Sequence, residues 1–79
     1  MPVDRRVLRR LLALIEVYGD DDGGDAVVPL TQVDLASLTG TSRATVNRVL
    51  RPAEGEGAVS LNRGRIRVVD RDLLARRAR

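Results

Sequence analysis

The residues best placed to do chemistry lie in the stretch GTSRATVNRVLRP, residues 40–52. In a helix, Arg43, Ala44, Asn47, Arg48 and Arg51 fall on one side, opposite Val46, Val49 and Leu50. A guanidinium donates two parallel hydrogen bonds to a phosphate or to guanine O6 and N7, and an asparagine amide pairs with adenine. No acidic residue of the stretch interrupts that face. A solvated polar face is the ordinary property of any amphipathic helix, so the arrangement gains meaning only from what surrounds it.

Two further groups of polar residues stand in register with it. Arg63 and Arg65 flank Gly64 in SLNRGRIRVV and belong to a hairpin tip, where they suit contacts to a phosphate backbone. Arg67 comes next, with an alternative reading as a charge that guards an edge strand against aggregation. Thr31 and Gln32 open a second helix, and Ser42 opens the third; a helix start offers unpaired N–H donors to an anion. Ordinary capping accounts equally well for Thr31 and Ser42.

Composition removes most other chemistries. The 79 residues contain no cysteine and no histidine, which excludes disulfides, thiolate metal sites and the usual general base at neutral pH. No cofactor and no metal are expected, and a chain this short holds one small core rather than a deep catalytic pocket. Tyr18 is the single aromatic residue, so binding single strands by base stacking is disfavoured. No apolar run approaches the roughly 20 residues of a membrane span, and a cytoplasmic protein is expected. All 14 basic residues are arginine, which suits phosphate and guanine but also fits the codon usage of a GC-rich genome. Four of the 11 acidic residues cluster in GDDDGGD, residues 19–25, which leaves the rest of the chain more basic than its net charge of +3. That segregation points to a polyanionic partner.

The elements that would position these groups emerge from periodicity. Val3, Val7, Leu8, Leu11, Leu12, Leu14, Ile15 and Tyr18 give an amphipathic first helix with Arg5, Arg6, Arg9 and Arg10 on its other face. The acidic stretch reads as a flexible surface loop, and AVVPL, residues 26–30, as a brief edge strand. Thr31 and Asp34 form a capping-box pattern ahead of Leu35, Ala36 and Leu38, and Gly40 stops that helix. Thr41 or Ser42 caps the next, with Val46, Val49 and Leu50 inward, and Pro52 ends or kinks it. Val59, Leu61, Ile66 and Val68 alternate about a turn at Asn62, Arg63 and Gly64, and Asp70 caps a last short helix with Leu73 and Leu74 inward. The expectation is one α+β domain over 1–79, a small winged helix-turn-helix with a helical core, a short edge strand and a β-hairpin wing. The helix-turn-helix spans about 31–51 and the wing about 58–69. Ala36 and Gly40 supply the small residue and the glycine that let two helices cross closely.

The segment VPLTQVDLASLTGTSRATVNRVL, together with GRIRVVD further on, resembles the carboxy-terminal DNA-binding domain of the bacterial Crp/Fnr transcription regulators. The likeness runs from about Val7 to the last helix. It implies sequence-specific binding to double-stranded DNA, with a recognition helix over 42–51 in the major groove and the wing on the backbone. By position, Arg43 and Arg48 match the family's principal readers of base and phosphate. Arg43, Ala44, Asn47 and Arg48 are thus the candidate base contacts, and Thr31, Gln32, Ser42, Arg51, Arg63 and Arg65 the candidate phosphate contacts. Two departures bear on readout. Ala44 stands where the family usually has a glutamate that can accept from cytosine, and alanine suits a thymine methyl instead. Pro52 and Gly55 replace helix formers and imply a shorter or kinked recognition helix.

The family's effector domain and long dimerisation helix have no counterpart in these 79 residues. The expectation is a DNA-binding domain without its ligand sensor, either excised from a longer regulator or standing alone. Two copies would form a homodimer on a palindromic site without that seam. The alternative is a winged-helix interaction or dimerisation module that pairs through its first helix or its wing and reads no DNA. An enzyme is not expected, because the acidic residues lie away from apolar surroundings that would tune them.

Overall fold

A computed structural model describes residues 2–19 and 25–79; the expected acidic loop therefore lies mainly outside the described residues. Among the described residues, four helices and three strands follow in the order α1 (Val3–Tyr18), β1 (Ala26–Val28), α2 (Gln32–Thr39), α3 (Arg43–Gly55), β2 (Val59–Asn62), β3 (Arg65–Val68) and α4 (Arg71–Arg77). The fold is an α+β winged helix. Its strands form one antiparallel sheet in the order β1-β3-β2.

Aliphatic side chains from every element meet in one core. Val7, Leu8, Leu11 and Ile15 of α1 pack with Leu35, Val46 and Leu50 of the helix-turn-helix, with Val28, Ile66 and Val68 of the sheet, and with Leu74 of α4. Tyr18 departs from its expected inward place and is 47% exposed. It lies in the last turn of α1, where Val17 is exposed as well.

Local chemistry sets the helix-turn-helix. Thr31 Oγ1 accepts from the Asp34 amide at 3.0 Å and Asp34 Oδ2 accepts from the Thr31 amide at 3.0 Å, which completes the capping box. Gly40 ends α2 at φ 71° and ψ 36°, in the left-handed region that glycine enters without a Cβ clash. The Thr41 amide then reaches back to the Ala36 carbonyl at 3.0 Å. Leu35, Ala36 and Thr39 are buried, whereas Leu38 is 46% exposed. At about 100° per residue, positions 35, 36 and 39 share one arc and 38 falls to its other side. Thr39 satisfies its buried hydroxyl by donating to the Leu35 carbonyl at 2.8 Å.

Of the two candidate caps for α3, Ser42 is the one used: its Oγ accepts from the Thr45 amide at 3.1 Å. Pro52 does not end this helix, which continues to Gly55. An interior proline costs about 3 kcal/mol because it loses one bond and crowds the preceding turn. Contacts made by the next four residues offset that cost. Ala53 is fully buried, the Glu56 amide donates to the Pro52 carbonyl at 3.1 Å, and Glu54 accepts from the Leu61 amide of β2 at 3.1 Å.

In the sheet, Leu61 pairs with Ile66 and Val59 with Val68, while Ala26 and Val28 face the same two β3 residues from the other side. Arg65 and Arg67 consequently share the outer face. Because β3 is the middle strand, the edge-guard reading of Arg67 does not apply. Asp70 Oδ1 caps α4 by accepting from Leu73 at 3.0 Å, and Arg9 Nε ties the end of that helix to α1 through the Ala78 carbonyl at 3.3 Å.

Candidate nucleic-acid interface

Helix α3 presents Arg43, Ala44, Arg48 and Arg51 as exposed residues, with Asn47 half-buried beside them. The start of α2 and the hairpin tip border the same helix. Together they form a cleft of about 340 Å³ lined by Thr31, Gln32, Val33, Arg43, Arg51, Leu61, Asn62, Arg63 and Gly64. Gly64, at φ 77°, makes the tight turn that brings Arg63 to this cleft. Arg43 and Arg51 of α3 thus converge with Arg63 of the wing, although 12 positions of chain separate Arg51 from Arg63.

Arg65 lies elsewhere. With Val27, Ser60, Asn62 and Arg67 it lines a second hollow, on the outer face of the sheet. Arg67 pairs there with Asp25 at 3.2 Å. The sequence places Arg63 and Arg65 together at the tip; the turn separates them, because Arg63 lies in the turn with Gly64 at φ 77° while Arg65 is the first residue of β3.

The polar groups around α3 are tied to one another. Asn47 Nδ2 donates to Gln32 Oε1 at 3.1 Å, linking the recognition helix to the first residue of α2. Ser42 Oγ donates to Thr45 Oγ1 at 3.0 Å as well as accepting from its amide, so its one hydroxyl hydrogen is already engaged. Thr45 Oγ1 is left with its own hydrogen to donate, a role absent from the sequence-based expectation that the Ser-x-x-Thr spacing would have signalled. At the start of α2, Asp34 holds the Thr31 amide, so an anion there would meet a carboxylate already in place.

The all-basic face expected from the sequence is interrupted by two acids. Asp4 Oδ1, from the first turn of α1, accepts from Arg48 Nη2 at 3.4 Å, and Glu54 Oε1 accepts from Arg51 Nη1 at 2.6 Å. Glu54 also receives the Leu61 amide and so joins α3 to the wing. The Leu61 amide, and after it the Arg51 guanidinium, holds the Glu54 carboxyl below the usual glutamate range. The spacing of Arg51 and Glu54 is visible in the sequence. Asp4 is 44 residues from Arg48, and no local pattern signals that pair. Among the described residues, no group of acidic, histidine or cysteine side chains could hold a metal ion, and no helix is long and apolar enough to cross a membrane.

A capped helix-turn-helix whose exposed helix meets an arginine-tipped hairpin across a basic cleft defines a winged-helix DNA-binding domain. Residues 5–77 match the family described as the Crp-like helix-turn-helix domain. The chain is 39% identical over 79 residues to the CRP-like cAMP-activated global transcriptional regulator of Mycobacterium tuberculosis, in both strain CDC 1551 / Oshkosh and strain H37Rv. The match takes in 98% of this chain and 35% of the relative. Among solved structures, it superposes with a TM-score of 0.82 at 28% identity on a CRP/FNR-family transcriptional regulator from Thermus thermophilus, covering 99% of this chain and 41% of that one. Oxidized CprK in complex with o-chlorophenolacetic acid gives a TM-score of 0.79 at 26% identity, covering 96% of this chain and 33% of CprK. The chain belongs to the Crp-like helix-turn-helix family, the DNA-binding domains of CRP/FNR-type transcriptional regulators. It spans about a third of the length of the mycobacterial relatives it matches.

Proposed function

We propose that this domain binds double-stranded DNA sequence-specifically in the cytoplasm, with α3 in the major groove and the wing tip on the adjoining phosphate backbone. The convergence of Arg43, Arg51 and Arg63 on one cleft carries this reading, because a groove flanked by phosphates needs cations on both the helix and the hairpin. Arg43, Ala44, Asn47 and Arg48 read bases, and Arg48, the last of the four along α3, also reaches the flanking phosphate backbone. Asn47 keeps its Oδ1 and one Nδ2 hydrogen free, the acceptor and donor that adenine requires, while Gln32 holds the amide in place. Thr31, Gln32, Ser42, Arg51, Arg63 and Arg65 take phosphates; Ser42 does so by giving up its bond to Thr45, and Arg65 where the backbone passes the outer sheet face. Each copy covers half of a palindromic site, and joining two copies there raises affinity about 10²–10⁴-fold over one.

Duplexes selected from a random pool, and anisotropy titrations of them across a salt series, test the assignment. Arg43→Ala is expected to relax preference at one guanine by about 1–3 kcal/mol. Arg63→Ala is expected to lower affinity evenly across sequences and to reduce the salt slope by about one unit. Unchanged affinity and preference in both Arg43→Ala and Arg48→Ala would remove α3 as the reading element.

A further inference from the structure

Asp4 is the residue that the DNA-binding surface does not account for. It sits in the first turn of α1, a helix end that favours a carboxylate whatever its neighbours. It nevertheless lies within 3.4 Å of Arg48, one of the residues assigned to DNA. Both side chains are open to solvent, 61% for Arg48 and 56% for Asp4, so burial does not lock the pair. The contact is a single Nη2 to Oδ1 approach rather than a two-pronged fork. A pair of this kind exchanges readily for a stronger anion.

We infer that Asp4 competes with DNA phosphate for Arg48 and so sets the affinity of the interface, a reading that rests on the proposed DNA-binding function. Recognition helices present their N-terminal residues to the bases, which gives Arg43 and Ala44 the innermost positions. Arg48 lies further along and is drawn sideways to α1, where the flanking phosphate backbone would pass. For Arg48 to engage a phosphate, its bond to Asp4 must break, and a carboxylate is left facing a polyanion. Both effects weaken binding. They also reduce the net ion release that accompanies the contact, since the stranded Asp4 attracts a cation of its own.

The test compares the 79-residue chain with Asp4→Asn, with Arg48→Ala and with the double variant, on a selected duplex and on random-sequence duplex, across a salt series. Asp4→Asn keeps the side chain's shape and removes its charge. Glu16→Gln makes the same charge change about 18 Å further along α1 and controls for net charge. Asp4→Asn is expected to tighten binding to both duplexes by about two- to fivefold, the range of an exposed ion pair. It should steepen the salt slope, by at most the roughly 0.9 unit of one phosphate. In the Arg48→Ala background the same change should do little more than Glu16→Gln does.

Three results overturn the inference. Affinity that stays unchanged in Asp4→Asn means no competition. An equal gain in the Arg48→Ala background means a general charge effect. A loss of preference for the selected duplex at constant slope means that Asp4 instead steadies Arg48 for base reading. If the unaltered chain binds no duplex at low salt, the functional reading fails first and takes this inference with it.

Discussion

Breaking the hydrogen bond between Asn47 and Gln32 tests how the recognition helix is held. The 3.1 Å contact joins α3 to the first residue of α2, and both side chains are half-buried. A net intramolecular hydrogen bond contributes about 0.5–1.5 kcal/mol, and water's access to both amides puts this one near the lower half, about 0.5–1 kcal/mol. Truncating either residue removes other contacts too, so the quantity to measure is the coupling among Gln32→Ala, Asn47→Ala, the double variant and the unaltered chain. Urea denaturation supplies the four free energies. In a domain of this size the coupling corresponds to about 2–8 °C in Tm. DNA binding supplies an independent reading: without Gln32 the Asn47 amide loses its partner, so Gln32→Ala should relax preference at an adenine and leave untouched the guanine preference proposed for Arg43. A coupling below about 0.2 kcal/mol, or adenine preference intact in Gln32→Ala, would refute the bracing role.

Leu35→Ala should destabilise the domain by about 2–5 kcal/mol, enough to unfold a marginal domain, while Leu38→Ala stays within about 0.5 kcal/mol because its side chain is half in solvent; thermal melts of the two compare them directly. Gly40→Ala meets no atom within 4 Å, so its cost is backbone strain alone, about 1–2 kcal/mol in urea denaturation. Gly55→Ala also enters open space, within α3, and should raise stability by up to about 1 kcal/mol. Glu54 has a lowered pKa in the folded chain, so its contribution is complete above the unfolded value, near 4.3, and is lost as pH falls through the folded one. Urea midpoints between about pH 3 and 6 should therefore decline less steeply on acidification for Glu54→Gln than for the unaltered chain.

Much of the fold is legible in the sequence because its decisive signals are local. The Thr31 and Asp34 spacing encodes a capping box, Gly40 a left-handed stop, and Arg63 with Gly64 a hairpin turn, each closed by groups within three or four residues of one another. The inward alternation of Val59, Leu61, Ile66 and Val68 reflects the strand's twofold period. Pro52 defies its local signal for the complementary reason. Its cost is fixed by its own ring, but the offsetting burial of Ala53 and the bond from Leu61 to Glu54 come from other elements.

The sequence by itself determined which residue types this surface could use: arginines without histidine or cysteine, spaced along a helix and a hairpin. Only the tertiary structure decided which of those arginines act together and which are already engaged. Arg63 joins Arg43 and Arg51, Arg65 turns to the outer sheet face, and Arg48 meets Asp4 across 44 residues of chain. Periodicity reports the face of an element on which a side chain lies. Whether that face meets a cation, a carboxylate or solvent depends on how the elements pack, because electrostatic contacts form through space rather than along the chain.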